Sequence, residues 1–110
     1  MNPLSSYRFM WLMVMFDLPV VSKHERRSAS EFRNNLLDKG FEMIQFSVYL
    51  KFCSSRAKLR SLSASIKKDL PEHGKVTFLQ FTDRQYEDVE NFVNLSKHPS
   101  RRSPPQFVLF

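Results

Sequence analysis

The sequence predicts one α+β domain, and three kinds of pattern predict it. An apolar run of eight residues, 9–16, is typical of a buried strand. Two segments, 23–39 and 56–70, carry apolar residues at helical spacing and begin after capping residues. Two others, 41–52 and 76–81, are rich in aromatic and β-branched residues, as strands are. The resulting order, strand–helix–strand–strand–helix–strand, is that of a ferredoxin-like sandwich.

The first strand, Phe9–Phe16, is so uniformly apolar that we expect it to be buried on both faces. It is followed at once by Asp17 and then by a turn at Leu18 and Pro19. A residue at the carboxyl end of such a strand lies at a sheet edge, where open sheets bind ligands. Asp17 is therefore either part of a metal-dependent phosphodiester site or an ordinary strand-ending aspartate.

The first helix has clear local signals at both ends. Ser22 and Glu25 have the spacing of a capping box, which predicts a helix that begins at Lys23. The helix is expected to run to Lys39 and to end at Gly40, a residue that readily takes the left-handed conformation. Its predicted core stripe consists of Ala29, Phe32 and Leu36, with Leu37 at the margin.

The segment 41–52 is long for one strand, so we predict two short strands with a bend near Gln45–Ser47. In the second of these strands, apolar and more polar residues alternate, which predicts one inner and one wet face. The inner face would hold Phe46, Val48, Leu50 and Phe52, and the wet face Ser47, Tyr49 and Lys51.

Ser54 or Ser55 is the predicted cap of a second helix over Arg56–Leu70, which Pro71 would end. The expected core stripe of this helix is Leu59, Leu62, Ile66 and Leu70.

After the last predicted strand, Thr82 and Gln85 again have capping-box spacing. A short helical stripe of Tyr86, Val89 and Val93 would follow, on an acidic element that should point away from nucleic acid or toward a basic partner. We place one domain at 1–95 and a linker with a final strand at 96–110. The apolar end, Phe107–Phe110, is expected to join a sheet edge, which can belong to a second copy of the chain.

The formal charge of +6 and a pI near 9.8 point to an anionic partner, and nucleic acid is the one we expect. A membrane surface fits less well, because no basic face carries exposed Trp or Leu, and the run 9–16 is too short to span a bilayer. The single cysteine, Cys53, cannot form an intrachain disulfide, which fits a reducing cytoplasm. We expect a soluble cytoplasmic protein.

Seven cations on the two predicted helices are candidate phosphate contacts, although charged helix residues can equally form a solvated face. Between Met43 and Lys68 the chain has six cations and no Asp or Glu, so pairing within the helix cannot explain this charge. The candidates are Lys23, Arg26, Arg27, Arg33, Arg56, Arg60 and Lys67.

Catalytic signatures are sparse. We interpret the three histidines, His24, His73 and His98, as surface residues. Cys53 is interpreted as a small core residue. The chain has only two glycines, which cannot make a Gly-rich phosphate-binding loop. The segment 39–46 imitates an RNA-recognition motif but lacks a small residue and an aromatic where the motif needs them. One carboxylate is a poor Mg²⁺ site, whereas two copies of Asp17 across a dimer axis could share an ion.

Several segments together resemble a known family. Val14-Met15-Phe16-Asp17-Leu18-Pro19 is followed by Glu25-Arg26-Arg27, Phe32-Arg33, Leu36-Leu37, Gly40-Phe41 and Gln45-Phe46-Ser47-Val48-Tyr49. Over about residues 8–82 the chain resembles the small CRISPR-associated adaptation proteins of the Cas2 family. The resemblance is closest to members from type II systems.

The resemblance implies a ferredoxin-like homodimer in which the last strand of each subunit completes the sheet of the other. It implies two possible roles. In one, the dimer bridges two dimers of the CRISPR integrase and holds spacer DNA on its basic surface, without catalysis. In the other, Asp17 of each subunit binds Mg²⁺ in a metal-dependent endonuclease that cuts DNA or single-stranded RNA. A third alternative is a ferredoxin-like RNA-binding or regulatory domain unrelated to CRISPR.

Overall fold

A computed structural model describes residues 9–94 of the chain. Within this range the chain forms four strands and three helices, which confirms the predicted α+β order. The elements are β1 (Met10–Asp17), α1 (Lys23–Asp38), β2 (Glu42–Gln45), β3 (Val48–Cys53), α2 (Arg56–Lys67), β4 (Lys75–Thr82) and α3 (Asp83–Tyr86). The predictions for the linker and for the final strand Phe107–Phe110 lie outside the described residues.

The four strands form one antiparallel sheet in the order β2-β3-β1-β4. This order is that of a ferredoxin-like fold, because each helix returns the chain across the sheet to a non-adjacent strand. The register pairs Met10 with Cys53 at one end of β1, and Asp17 with Lys75 at the other. The two ends of β1 are therefore the two ends of the sheet.

The core lies between the sheet and the helices α1 and α2. Met10, Leu12 and Val14 of β1 face the helices and are buried, whereas Trp11 and Met15 on the other face are only half-buried. The prediction that β1 is buried on both faces was therefore wrong for the single chain, since α1 and α2 cover one face only. The buried core cluster is Met10, Leu12, Val14, Phe32, Leu36, Phe41, Tyr49, Cys53, Leu59 and Ile66.

The two faces of β3 are reversed from the prediction. Tyr49 is only 1% exposed and belongs to the core, whereas Phe52 is 41% exposed. The register explains this reversal, because Tyr49 is paired with Val14 and must lie on the same, helix-covered face. Leu50 is also buried although it lies on the opposite face, so β3 has no wet face at its centre.

The bend between β2 and β3 lies where the sequence predicted it, at Phe46 and Ser47. Ser47 takes a left-handed backbone conformation with φ of 63°, so a residue other than glycine makes this turn. The carbonyl of Ser47 accepts a hydrogen bond of 3.1 Å from the backbone N–H of Phe16. The turn is thereby joined to the end of β1.

The predicted capping box of α1 is confirmed. The Ser22 hydroxyl accepts a 3.0 Å hydrogen bond from the Glu25 N–H, and the Glu25 carboxylate accepts one of 2.9 Å from the Ser22 N–H. The helix ends at Asp38, one residue earlier than expected, and Gly40 follows with φ of 92°. Phe32 and Leu36 are buried as predicted, and Leu37 is exposed.

Helix α2 is capped by Ser55 and is shorter than predicted, because it ends at Lys67 and not at Leu70. Pro71 accounts for the difference, since a proline ring collides with the carbonyl four residues earlier, which here belongs to Lys67. Leu70 is consequently 43% exposed instead of buried. Leu59 and Ile66 form the core contact as expected, and Leu62 packs against it.

Helix α3 has the predicted capping box of Thr82 and Gln85 but only one turn. Tyr86 stacks on Trp11 with ring centroids 4.2 Å apart, which anchors this turn on the face of the sheet that the other helices leave open. Val89 and Val93 are exposed, so the prediction that they continue a helical stripe was wrong. From 9 to 94, no helix has the length and apolar character needed to cross a membrane.

Candidate nucleic-acid interface

Asp17 is the last residue of β1, an inner strand, and is exposed at one end of the sheet. Since side chains alternate along a strand, Asp17 lies on the same face as Met13 and Met15, the face that α1 and α2 do not cover. Behind it, Gly74 has φ of 101°, and a Cβ at this position would lie 2.7 Å from the Asp17 carbonyl oxygen. Only glycine fits there, and its close contact fixes the backbone that carries the carboxylate.

A single chain does not supply a metal site around Asp17. Among residues 9–94, no three His, Cys, Asp or Glu side chains lie close enough together to hold an ion. Mg²⁺ prefers several oxygen ligands, so one carboxylate does not fit it. The predicted Mg²⁺ site therefore requires a second copy of the chain.

Asp17 also lies at the mouth of a groove with a volume of about 470 Å³. The groove runs between the end of β1, the first half of α1 and the β2–β3 turn, and we call it the Asp17 groove. It brings together three of the predicted site residues, Asp17, Arg26 and Arg33. Its lining is Phe16, Asp17, Leu18, Val20, Arg26, Ala29, Ser30, Arg33, Met43, Phe46, Ser47 and Tyr49.

The floor of the Asp17 groove is aromatic and its rim is apolar. The rings of Phe16 and Tyr49 stack with centroids 5.6 Å apart. On the rim, Met43 and Phe46 are 53% and 54% exposed. Burial raises the pKa of the Tyr49 phenol, and the nearby charge of Arg33 opposes this shift to a smaller extent. The phenol is therefore protonated at neutral pH.

The loop 18–21 forms one wall of the groove and is held by the first turn of α1. The Arg26 Nη1 donates hydrogen bonds to the carbonyls of Val20, at 3.2 Å, and Val21, at 2.7 Å. The Glu25 carboxylate accepts a bond of 3.0 Å from the Val21 N–H. Backbone hydrogen bonding, first of all from Ser22, lowers the pKa of Glu25. Arg26 uses one of its nitrogens on the loop and keeps its full charge.

The other predicted cations do not join this groove. Arg27 lines a separate cavity of about 600 Å³ between α1 and the segment after α2. The Lys67 Nζ lies 5.9 Å above the ring of Phe78. Arg56 and Arg60 follow Cys53, which pairs with Met10, so they lie toward the end of the sheet opposite Asp17. Lys23 is exposed at the start of α1.

The cations of α1 and α2 form no ion pair in the part of the chain that the structure describes, although α1 also carries Glu25, Glu31 and Asp38. All eleven Asp and Glu residues lie in that part, and the ion pair found there joins Arg84 to Glu87 at 3.9 Å. Each of the seven candidate cations is exposed. Their positive charge is therefore available to an external anion.

The sequence analysis missed the groove residues Met43, Phe46 and Tyr49, which it placed in the strands of the segment 41–52 without a role in a site. The segment Gln45–Tyr49 did carry a signal, because an apolar aromatic residue, Phe46, occupies the turn between two strands. Turns normally hold small or polar residues.

Comparison with known proteins identifies the family. Residues 10–89 match the family model described as CRISPR associated protein Cas2. This chain belongs to the Cas2 family. A Cas2 relative from Paracidovorax avenae, named CRISPR-associated endoribonuclease Cas2, is 52% identical over 97% of this chain and 99% of its own length.

Two further similarities agree with this assignment. A relative of the same name from Flavobacterium psychrophilum is 43% identical over 97% of this chain and 93% of its own length. A solved structure described as a crystal structure of Cas2 matches with a TM-score of 0.56 at 20% identity, over 86% of this chain and 95% of that one. This second likeness supports the fold alone.

Family membership decides one of the alternatives. The reading of the chain as a ferredoxin-like domain unrelated to CRISPR was wrong, because the family model covers most of the chain. The resemblance to Cas2 is confirmed, and relatives of this Cas2 protein carry the name endoribonuclease. The assignment to type II systems stays a prediction, as do the roles of Asp17 and of the seven cations.

Proposed function

We propose that this Cas2 protein acts in CRISPR spacer acquisition as a homodimer that bridges integrase dimers and binds double-stranded spacer DNA. The observation that carries this proposal is the cation-rich surface of α1 and α2 with no ion pair on it in the described part of the chain. Phosphate groups are the natural partners of such a surface, since they release bound counterions when Lys and Arg contact them. The protein would recognise the sugar–phosphate backbone of the DNA and not its base sequence.

The uncovered face of the sheet supports the homodimer. Its exposed or half-buried residues are mainly apolar and aromatic, including Met13, Met15, Phe52 and Leu79. A continuous apolar surface of this kind is typical of a protein–protein contact. A second copy packed on this face would leave the cationic helices on the outside, where they could meet DNA.

Binding of a blunt-ended DNA duplex at several salt concentrations tests this function. Arg27→Gln and Arg60→Gln should each weaken binding uniformly across sequences and reduce the salt slope by about one. Arg84→Gln, on the acidic element, is the matched control and should leave the slope unchanged. A slope that none of the candidate cations alters would refute the assignment of the DNA surface.

A second candidate function is a metal-dependent endonuclease in which Asp17 of two copies holds Mg²⁺. The position of Asp17 favours this function, because the carboxylate is exposed on the face of the sheet that would meet the second copy. When bound there, Mg²⁺ would polarise a phosphoryl oxygen and lower the pKa of a coordinated water. The name endoribonuclease that relatives carry makes single-stranded RNA the first substrate to examine.

Asp17→Asn separates the two functions when nuclease activity and spacer acquisition are measured side by side with the wild type. The scaffold function predicts normal acquisition by the variant. The nuclease function predicts that Mg²⁺-dependent cleavage of RNA or DNA disappears. Cleavage that survives the substitution would belong to a contaminant and would remove the case for catalysis.

We propose further that the protein serves a type II system in the cytoplasm. The support is the pair of segments Phe16–Pro19 and Gln45–Tyr49, and the buried, unpaired Cys53. Burial raises the pKa of this thiol and keeps it neutral. The genes that neighbour this one would identify the system.

A further inference from the structure

The Asp17 groove has the size and lining of a ligand site. Its volume of about 470 Å³ falls within the range of about 300–1,000 Å³ that is usual for small-molecule sites. Apolar and aromatic side chains, among them Phe16, Met43 and Phe46, make up much of the wall. A few polar groups converge on the same space, as they do where a ligand must be oriented.

One of these polar groups is the hydroxyl of Tyr49. Tyr49 is 1% exposed and lines the groove, yet its hydroxyl makes no hydrogen bond with any described residue. The hydroxyl oxygen itself is not fully buried, although the rest of the side chain is, so it reaches the open space of the groove. A protonated phenol at the groove floor is thus a donor that a ligand acceptor can use.

Two arginines provide positive charge at different points along the groove. Arg26 and Arg33 are seven residues apart on α1, which places them on one side of the helix about 10 Å apart along its axis. Neither forms an ion pair within the described part of the chain. Asp17 at the mouth leaves the three charged side chains of the groove with a net positive charge.

We propose that the Asp17 groove binds one unpaired nucleotide of a nucleic-acid strand, with the base in the groove and the flanking phosphates near Arg26 and Arg33. Because Arg26 and Arg33 are two helical turns apart, each can contact a different phosphate, one on either side of the nucleotide. Phe46 and Met43 supply the surface on which the base stacks, and Tyr49 donates a hydrogen bond to it. This inference rests on the proposed nucleic-acid-binding function and adds a site for unpaired bases.

A base within a duplex is not a suitable occupant, because its faces are covered by the neighbouring base pairs. An unpaired base exposes both faces and can stack on aromatic side chains irrespective of its identity. The groove would therefore select strand ends or single-stranded segments, whereas the cations of α1 and α2 outside it would bind duplex backbone. The bound nucleotide would lie beside the Asp17 carboxylate.

Fluorescence anisotropy with a labelled oligothymidine, and with a blunt-ended duplex in parallel, tests the inference on the full-length protein. Phe46→Ala should weaken oligothymidine binding at least about 5-fold, because it removes one stacking surface. Phe92→Ala is the matched control, since Phe92 is 72% exposed and lies outside the groove, and it should have no effect. Duplex binding should be unchanged in both variants.

Tyr49→Phe provides a second, conservative test. It keeps the ring that packs against Phe16 and removes the hydroxyl, so thermal stability should be retained. Loss of one hydrogen bond should lower oligothymidine affinity roughly 2- to 10-fold. Photo-crosslinking with an oligonucleotide that contains 4-thiothymidine should label residues in the segment 43–49.

The possible outcomes separate this inference from the proposed function. If the wild type binds duplex with strong salt dependence but Phe46→Ala and Tyr49→Phe bind oligothymidine normally, the groove proposal is wrong and the DNA scaffold stands. If binding to an integrase is weakened instead, the groove holds an apolar protein segment and the proposal is equally wrong. If neither nucleic acid binds, the proposed function itself fails.

Discussion

Two aspartates lie at opposite ends of the sheet, each directly after or at the end of a strand, and their surroundings differ completely. Asp83, which follows β4, accepts a 2.8 Å hydrogen bond from the indole N–H of Trp11 and donates its own backbone N–H to the Phe9 carbonyl at 2.9 Å. Asp17, at the end of β1, is exposed and has no side-chain hydrogen bond or ion pair in the described part of the chain. The Asp83 carboxylate therefore stabilises the fold, whereas the Asp17 carboxylate is available to a ligand.

The aromatic residues at the two ends show the same contrast. Near Asp83, the Trp11 ring stacks on Tyr86 at 4.2 Å and contacts Phe52 edge-on at 5.2 Å. Near Asp17, Phe46 is 54% exposed and has no ring partner among the described residues. Exposed apolar groups beside an unpaired carboxylate do not stabilise the single chain, so the Asp17 end is where binding should occur.

The largest expected difference between the two ends comes from removing an aromatic ring at each. Trp11→Ala should lower the free energy of unfolding by about 2–4 kcal/mol, because it removes two ring contacts and a hydrogen bond from a half-buried position. Phe46→Ala should change it by less than about 0.5 kcal/mol. Urea denaturation of both variants measures the contrast. Equal losses of unfolding free energy would mean that Phe46 stabilises the fold as much as Trp11 does.

A smaller difference is expected when the aspartates themselves are changed. Asp83→Ala leaves the Trp11 N–H without its acceptor and should cost about 1–2 kcal/mol of folding free energy. Asp17→Ala should cost less than about 0.5 kcal/mol. Asp83→Asn is the control, because its amide oxygen can still accept the indole hydrogen bond and should restore most of the loss. A strongly destabilised Asp17→Ala protein would contradict the view that this carboxylate is free.

The local features of the fold were predictable from the sequence because their determinants lie within a few residues. Both capping boxes, Ser22 with Glu25 and Thr82 with Gln85, are present as predicted. The face of β3 that turns inward was not predictable from the alternation, because each face carries an aromatic residue, Tyr49 on one and Phe52 on the other. The pairing of Tyr49 with Val14, far away in sequence, decides it.

In the candidate site, too, some features are determined by neighbouring residues and others by residues that are distant in the sequence. The position of Asp17 follows from the strand that precedes it and the turn after it, and the structure places it at the carboxyl end of β1 as expected. The approach of Arg26 and Arg33 to Tyr49 depends on how α1 crosses the sheet, which no short motif encodes. The seven cations looked like one surface in the sequence, and in the structure only two of them share the groove with Asp17.

The smallest effect concerns the β2–β3 turn beside the groove. Ser47 has φ of 63°, a left-handed conformation that is costly for residues with a side chain. Ser47→Gly should remove this cost but adds flexibility to the unfolded chain, so we expect a net stabilisation of about 0.5 kcal/mol. The melting temperature of the variant measures the gain, and Ser61→Gly, in the exposed interior of α2, is a control that should destabilise.

Ser47→Gly also tests whether the rigidity of the β2–β3 turn contributes to binding. The Ser47 carbonyl accepts the Phe16 N–H, and both residues line the groove, so a looser turn would shift Phe46 relative to Tyr49. If the groove must be preorganised, Ser47→Gly will be more stable and yet bind oligothymidine less tightly, because ordering the turn then opposes binding. A variant that gains both stability and affinity would show that the strain at Ser47 does not contribute to binding. The Asp17 end of the sheet would then differ from the Asp83 end only in the exposure of its side chains.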